Sequence, residues 1–500
     1  MSINFKQLGT PSEFWEYFDK ISQIPRCSGR EHLIREYIKK EADKFNLISK
    51  TDTAGNLLVS ASLKKDGRPM VIVQSHLDMV CEKNENIIHD FLKDPLKLKI
   101  VEIDNNKWIT AEGTTLGADN GVGLAYSLAL MKKTHSGQLN FGNIGLDLLF
   151  TVGEEEGLPG ALQIDKDFLQ GTYLINTDSG LDDTFIIGCA GGIYTFCEVK
   201  LEKTNINQED LLIPLKIFIT GLKGGHSAGK IHLGRANSIK LISEILRNLN
   251  EKYTIYIHSI NGGNKPNAIP REATSILYVK KNQFAEIFDL INSQISQIKK
   301  KFAGIENDIT ISVQKLNDFS NNVVFSSELQ SKLLTILNSI PNGPMGMHPK
   351  IKNIVHTSTN LASIITRPTK IKITSFQRSF EKKYYDEISD KIVALFKLPN
   401  LKVKLRQVGG VGEWTPDFDS QLLAISKEVY FELFNKEPNV TAVHGALECG
   451  LFTSHNSNLE CIAIGPNAKD AHSPEERLEI QSVEKTWKFL TSLLKTISSK

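Results

Sequence analysis

Two imidazoles and five carboxylates carry most of the chemistry this sequence offers: His76, Asp78, Asp119, Glu154, Glu155, Asp178 and His472. A neutral imidazole and a carboxylate oxygen are both ligands for zinc, with manganese and cobalt as alternatives, and no thiolate need be involved. There are too many carboxylates for one zinc, so the set suits two divalent ions with one acid bridging. Such pairs lie about 3.5–4 Å apart and share a hydroxide nucleophile. One carboxylate left off the ions would act as base toward that water. Taken singly, each residue has an ordinary explanation. His76 would be a hydrogen-bonded histidine, Asp119 a helix N-cap and Asp178 an Asx-turn residue. Their recurrence just past apolar runs sets them apart.

Those apolar runs are the elements that must position the set. Met70-Val-Ile-Val-Gln-Ser-His-Leu-Asp78 reads as a buried strand that delivers His76 and Asp78 to the same side, because strand side chains alternate. At the carboxyl end of a parallel strand, both overlook the crevice where open α/β sheets hold ligands. Leu146–Thr151 is another such strand and runs into Val152-Gly-Glu-Glu-Glu-Gly157. Adjacent like charges repel unless a cation or a proton sits among them. Tyr173-Leu-Ile-Asn176 leads to Asp178, and Glu460-Cys-Ile-Ala-Ile-Gly465 to His472. Asp119 stands at the start of the helical run Leu124–Met131, where an N-cap would be. The preceding glycines make no dinucleotide fingerprint, since Gly121-Val-Gly123 lacks the third glycine.

Elsewhere, residues 11–47 read as two helices, the second opened by Ser28-Gly-Arg-Glu31 with capping-box spacing. Lys65-Asp-Gly67 reads as a turn between strands. From about 193 to 400, alternating strands such as Leu215–Thr220 and Tyr253–His258 interleave with helices near 235–250, 281–302, 325–339 and 380–396. That order runs twice, over about 210–302 and 308–396, as an internal duplication would. The expected class is therefore α/β. Residues 1–192 and 401–500 form one catalytic α/β domain, and 193–400 form an inserted α+β domain.

Bulk properties exclude several functions. A net charge of +2 over 500 residues leaves no electrostatic footprint for nucleic acid or an anionic membrane. Six cysteines without a C-x-x-C pair read as free, mostly buried thiols in a reducing compartment. With no apolar signal core and no window approaching a membrane span, the cytoplasm is the expected address.

His76-x-Asp78, Gly117-Ala-Asp119-Asn, Glu154-Glu155, Asn176-Thr-Asp178 and His472-Ser-Pro resemble, in this order, the motifs of the M20 family of di-zinc peptidases. Thr114–Gly123, Gly188-Cys-Ala-Gly-Gly192, Gly221-Leu-Lys-Gly-Gly-His-Ser227, Asn267-Ala-Ile-Pro-Arg-Glu272 and Leu447-Glu-Cys-Gly450 resemble its subfamily C. That branch holds the aminoacyl-histidine, Xaa-His or cytosol non-specific dipeptidases. The resemblance spans residues from near 20 to near 480. It implies hydrolysis of dipeptides, Xaa-His and broader, by a hydroxide shared between two divalent ions, zinc before manganese or cobalt. His76 and Asp178 would hold one ion, Glu155 and His472 the other, and Asp119 both. Asp78 would orient His76, and Glu154 would be the general base. In the insert, His226 and Asn267 resemble groups that stabilise the oxyanion and hold substrate. Arg378 resembles the family's carboxylate-binding arginine, with Arg367 as its nearest rival. Domain closure would bring these groups over the ions.

Two departures from the family matter. Three acids stand at 154–156 where two are usual, and a slip by one would move the base to Glu155 and the ligand to Glu156. His444-Gly-Ala replaces the usual His-Ala-Gly. The long insert resembles a double-sized lid, which leaves monomer and homodimer both open. Tripeptidase or N-acyl-amino-acid deacylase activity is the nearest alternative on the same scaffold. Gly225-His-Ser-Ala-Gly229 also matches a serine-hydrolase elbow, but no helix starts directly after Ser227.

Overall fold

The computed structural model describes residues 3–5, 8–62, 68–206, 211–317, 319 and 321–500, so the turn expected at Lys65-Asp-Gly67 lies outside the described residues. The chain divides into two compact units. One comprises Met1–Cys189, Trp414–Ala442 and Leu447–Lys500, the other Ala190–Glu413 and Val443–Ala446.

The first unit is built on an eight-stranded mixed sheet. Its order is Ile48–Thr51, Leu57–Ser62, Gly145–Thr151, Met70–His76, Tyr173–Asn176, Glu460–Ala463, Thr184–Cys189 and Asn439–Val443. The third to sixth of these strands run parallel. Every residue of Met70–His76 and of Gly145–Thr151 is buried, which is why both read as mainly apolar runs, the second interrupted only by Asp147. Register sets His76 opposite Thr151 and Gln74 opposite Asn176, so the neighbouring strands release their loops at one edge. The helix Ala118–His135 is buried on all sides as far as Met131. It sits between helices Ser12–Ser22 and Ile480–Ser499, with Tyr126 at 4.7 Å from the Phe14 ring and 6.0 Å from that of Trp487. A helix apolar all round belongs in such a core.

Three local expectations give way here. Ser28 does not cap the helix His32–Lys44, whose start carries no side-chain cap hydrogen bond. Its hydroxyl instead donates to the ionised Asp78 carboxylate at Oδ2, 2.7 Å away, a stronger bond than a neutral amide would give it. Asp119 does not cap its helix either. Its backbone is extended at ψ 107°, and Asn120 Oδ1 takes the Gly123 amide at 3.1 Å. Nor are all six cysteines free. Cys27 and Cys81 form a disulfide with Cα atoms 5.7 Å apart, while Cys189, Cys197, Cys449 and Cys461 are free and buried. A separation of 54 residues hides that pair from any local spacing rule; a parallel bridge between Cys27 and Met79 brings it together.

The second unit carries a nine-stranded sheet in which all the neighbouring pairs described are antiparallel. Alternate residues of Leu212–Thr220 are buried, as in a sheet covered on one face. Helices Ser238–Lys252, Phe284–Lys301, Ser327–Ser339 and Lys382–Lys397 supply its core, where Ile242, Ile291, Leu333 and Ile392 cluster with Ile217, Ile257, Leu277 and Ile373. Two strands, Ile255–Gly262 and Val355–Thr366, pair at the middle. Outward from them lie Ala273–Lys280, Leu212–Thr220 and Thr310–Lys315 on one side, and Lys370–Ser379, Gly191–Lys200 and Val403–Val411 on the other. Both sides therefore run from a hairpin partner to an earlier strand and then to a later one. Among the described residues, no helix is long and apolar enough to cross a membrane.

Candidate metal centre

The edge where the parallel strands of the first unit end gathers all seven side chains singled out in the sequence. His76 closes its strand fully buried, with Nε2 at 2.9 Å from Asp119 Oδ1 and 3.9 Å from Asp178 Oδ2. His472 Nε2 lies 3.3 Å from Asp119 Oδ2 and 3.0 Å from Glu155 Oε2. Asp119 thus offers one oxygen to each imidazole. His76 and Asp178 flank one side of it, His472 and Glu155 the other.

Charge on these groups follows from their crowding. Burial works against the His76 imidazolium, but Asp119 and Asp78 outweigh it and hold its pKa well above the ordinary value. Hydrogen bonds that His472 donates to Asp119 and Glu155 raise its pKa to about 11. Burial, followed by repulsion from Glu448, Asp119 and Glu155, pushes Glu154 up to about 8 against the opposing pull of His76. Protons here occupy a place a cation would take.

The residues present fit divalent metal. Ligand atoms of His76, Asp119 and Glu155 all lie within 4.8 Å of one another. Glu155 Oε1 is buried without a hydrogen-bond partner, a costly state for a carboxylate oxygen unless a cation meets it. Two imidazole nitrogens among carboxylate oxygens are a donor set for zinc, manganese or cobalt.

Asp78 ties the cluster to its scaffold. Its Oδ1 accepts the Glu154 amide at 3.0 Å, and its Oδ2 accepts the Glu155 amide at 3.2 Å besides the Ser28 hydroxyl. It therefore shapes the loop of acids as well as backing His76, whose Nδ1 is 3.1 Å from the Asp78 carbonyl and 3.4 Å from Oδ1. Burial disfavours its charge, yet His76 and Ser28 hold its pKa down at about 2. Within the acidic run, Glu155 reaches His472, while Glu156 is exposed.

Sequence reasoning passed over the groups behind this cluster. Gln74 and Glu448, both buried, are joined at 2.6 Å from Gln74 Nε2 to Glu448 Oε2, and Thr151 Oγ1 donates to the same oxygen at 2.9 Å. Gln74 Oε1 accepts from Asn176 Nδ2 at 2.6 Å, and Asn176 Oδ1 accepts the Asp178 amide at 3.0 Å. The strand ends that present His76, Glu154 and Asp178 are so cross-linked by buried polar groups. Arg26, buried among these acids, also went unnoticed. Glu448 lay within a motif already singled out. Gln74 shares a strand face with His76, the one signal that could have found it.

In the second unit, His226 and Asn267 come together where the short strands Gly225–His226 and Ala268–Ile269 pair, with the Ser227 amide donating to the Asn267 carbonyl at 2.8 Å. The Ala268 carbonyl accepts from Asn360 Nδ2 at 2.8 Å, two residues along the strand from Ser358, the partner of Arg378 in register. Arg378 is buried, stacked over the Phe376 ring at 4.2 Å. Ser358 also bonds His444 Nε2 at 2.7 Å. Burial first, then Arg378, pushes His444 down to about 3, so it stands neutral beside the guanidinium. Arg367 belongs to the turn at the opposite end of the same hairpin, nine residues beyond Ser358 in the chain. Ser227 leads into turns, with the next α-helix beginning only at Ser238, so the geometry of a nucleophile elbow is missing there.

A mixed sheet with acids and imidazoles at its parallel ends, its sequence interrupted by that of an antiparallel unit, is a metallopeptidase architecture. The chain belongs to the M20 family of metallopeptidases. It is 33% identical to the cytosol non-specific dipeptidase of Escherichia coli over 98% of this chain and 99% of that one. Its fold matches an aminoacylhistidine dipeptidase from Vibrio alginolyticus at a TM-score of 0.86, with 31% identity and 99% and 98% of the two chains covered. A tripeptidase from Staphylococcus aureus shares the fold at a TM-score of 0.56 and 14% identity, covering 98% of each chain. Residues 219–305 match the peptidase dimerisation domain.

Proposed function

We propose that this chain is a dipeptidase that cleaves Xaa-His and other dipeptides at a centre of two divalent ions, zinc before manganese or cobalt. The observation that carries this reading is Asp119, whose two oxygens face two imidazoles, each paired with its own further carboxylate. His76 and Asp178 would hold one ion, His472 and Glu155 the other, and Asp119 both. When bound, the ions supply Lewis acidity toward water and the scissile carbonyl.

Glu154 is the proton carrier of the proposed reaction. Its carboxylate takes a proton from the attacking water and passes it to the departing amine nitrogen. Asp78 keeps Glu154 and Glu155 in place through their amides and orients His76. His226 and Asn267 are proposed to stabilise the oxyanion, and Arg378 to receive the substrate carboxylate. A neutral His444 leaves the positive charge in that neighbourhood to the guanidinium. The segment 219–305 supports assembly as a homodimer, and the E. coli relative's name supports a cytosolic address.

A panel of dipeptides including Xaa-His, set against tripeptides and N-acetyl amino acids, tests the substrate class. We expect kcat/KM for dipeptides to exceed that for the other two by at least about a hundredfold, below the roughly 10⁴-fold by which buried polar groups left unpaired can reject a substrate. A preference for tripeptides or acylated amino acids would assign the chain to those activities instead.

A further inference from the structure

Glu476 follows His472 by four residues and is 1% exposed. Its carboxylate touches none of the proposed ligand atoms in the hydrogen bonds described. It accepts three main-chain amides of a single loop: Leu116 and Gly117 on Oε2, each at 2.8 Å, and Asp119 on Oε1 at 3.2 Å. From the other side, Arg26 donates Nη2 to the Gly117 carbonyl, and Nη1 to the carbonyls of Asp78 at 2.8 Å and Leu77 at 3.2 Å. Gly117 is therefore gripped through both its N–H and its C=O. It stands at φ 67°, where a Cβ would meet Arg26 Nη2 at 2.5 Å, so only glycine fits between the two.

The backbone of Glu476 is anchored as well. Its amide donates to the Ser473 carbonyl at 3.0 Å, and its carbonyl accepts from Thr110 Oγ1 at 2.6 Å. One residue thus joins the loop that brings in His472 to the loop that brings in Asp119. We propose that Glu476 is a positioning residue for both cations: it fixes Asp119 relative to His472 and His76 so that a single carboxylate serves two ions. Because Asp119 is shared, an error in its placement weakens both ion sites together. Loss of a ligand on one side, such as Asp178, weakens that side alone.

This inference rests on the metal-centre reading, and zinc titration of the full chain separates the two. Zinc affinity is measured by competition with a chromophoric chelator for the unaltered chain, Glu476→Gln and Asp178→Asn. Amide hydrogen exchange is followed in the metal-free proteins over the segment holding Leu116–Asp119. Glutamine keeps the shape and one acceptor but must turn its amide N–H2 toward one of the loop's own donors. Glu476→Gln is expected to weaken both zinc sites at least tenfold and to speed exchange in that segment at least tenfold, whereas Asp178→Asn weakens one site. A residue needed only for folding would lower the melting temperature and leave the zinc affinity of the folded protein unchanged, which would overturn the proposal. So would weakening of one site alone, or unaltered exchange. If Glu476→Gln does not fold, Glu476→Asp, which keeps the charge but shortens the reach, is held to the same two readouts. An unaltered chain that takes up no zinc would bring down the metal-centre reading, and this inference with it.

Discussion

Asp119 has to face two imidazoles at once, and its local backbone explains how it can. Neighbouring Asn120 caps the helix, so the Asp119 carboxylate is left to His76 and His472. The adjacent acids divide in the same way. Glu155 is drawn to His472, and Glu154 is left half-buried, its pKa raised to about 8 first by desolvation and then by Glu448, Asp119 and Glu155. Glu154→Gln is therefore expected to bind both ions and to lose about 10²- to 10⁴-fold in kcat, the usual span of general acid–base catalysis. Glu155→Ala is expected to lose an ion along with activity. Metal analysis beside steady-state kinetics checks this. Near-normal turnover in Glu154→Gln, with metal-replete but inactive Glu155→Ala, would exchange the two roles. The ligand candidates could be read from the sequence because all but Asp119 follow an apolar strand, and Asp119 opens an apolar helix. The roles of Ser28, Arg26 and Glu448 could not, since their partners stand 50 to 374 residues away and only the folded sheet unites them, and Gln74 offered no more than its place on the strand face of His76.

The strands that carry the site also contain a titrating group with no part in it. Asp147 lies in Gly145–Thr151, nearly buried, and its Oδ1 accepts from the Ser60 hydroxyl at 2.7 Å across the sheet. Burial raises its pKa to about 6, against roughly 4 in an unfolded chain. The folded state thus holds this proton more tightly than the unfolded one. The associated stability is present below about pH 4 and is lost as pH rises through about 6. Asp147→Asn keeps the acceptor without the charge, so it is expected to stabilise the protein above pH 6 by up to about 2 kcal/mol, with the difference vanishing near pH 4. Urea unfolding of chelator-treated protein at pH 4 and 7.5 measures it, and a variant less stable at pH 7.5 would contradict it. At this scale the parallel strands were plain from their mainly apolar runs. The Cys27–Cys81 disulfide and the true caps were not, because Ser28 and Asp119 answer to distant partners rather than to the nearest helix.

The chain as a whole keeps its proposed metal-site side chains and its proposed substrate-binding side chains in different units. His76, Asp78, Asp119, Glu154, Glu155, Asp178 and His472 belong to the unit made from both ends of the chain, His226, Asn267 and Arg378 to the unit between. We propose that the two similarly ordered halves of the second unit's sheet descend from a duplication. With a net charge of only +2, long-range steering has little to contribute, so activity is expected to depend on the ions and their ligands rather than on ionic strength. The account meets its most direct test when the chain is stripped with a chelator and zinc is returned stepwise while hydrolysis of an Xaa-His dipeptide is followed. Activity should be absent in the stripped protein and rise to a plateau at two zinc ions per chain, with His76→Ala and His472→Ala failing to recover. Hydrolysis that survives stripping, or that both histidine variants retain, would contradict it.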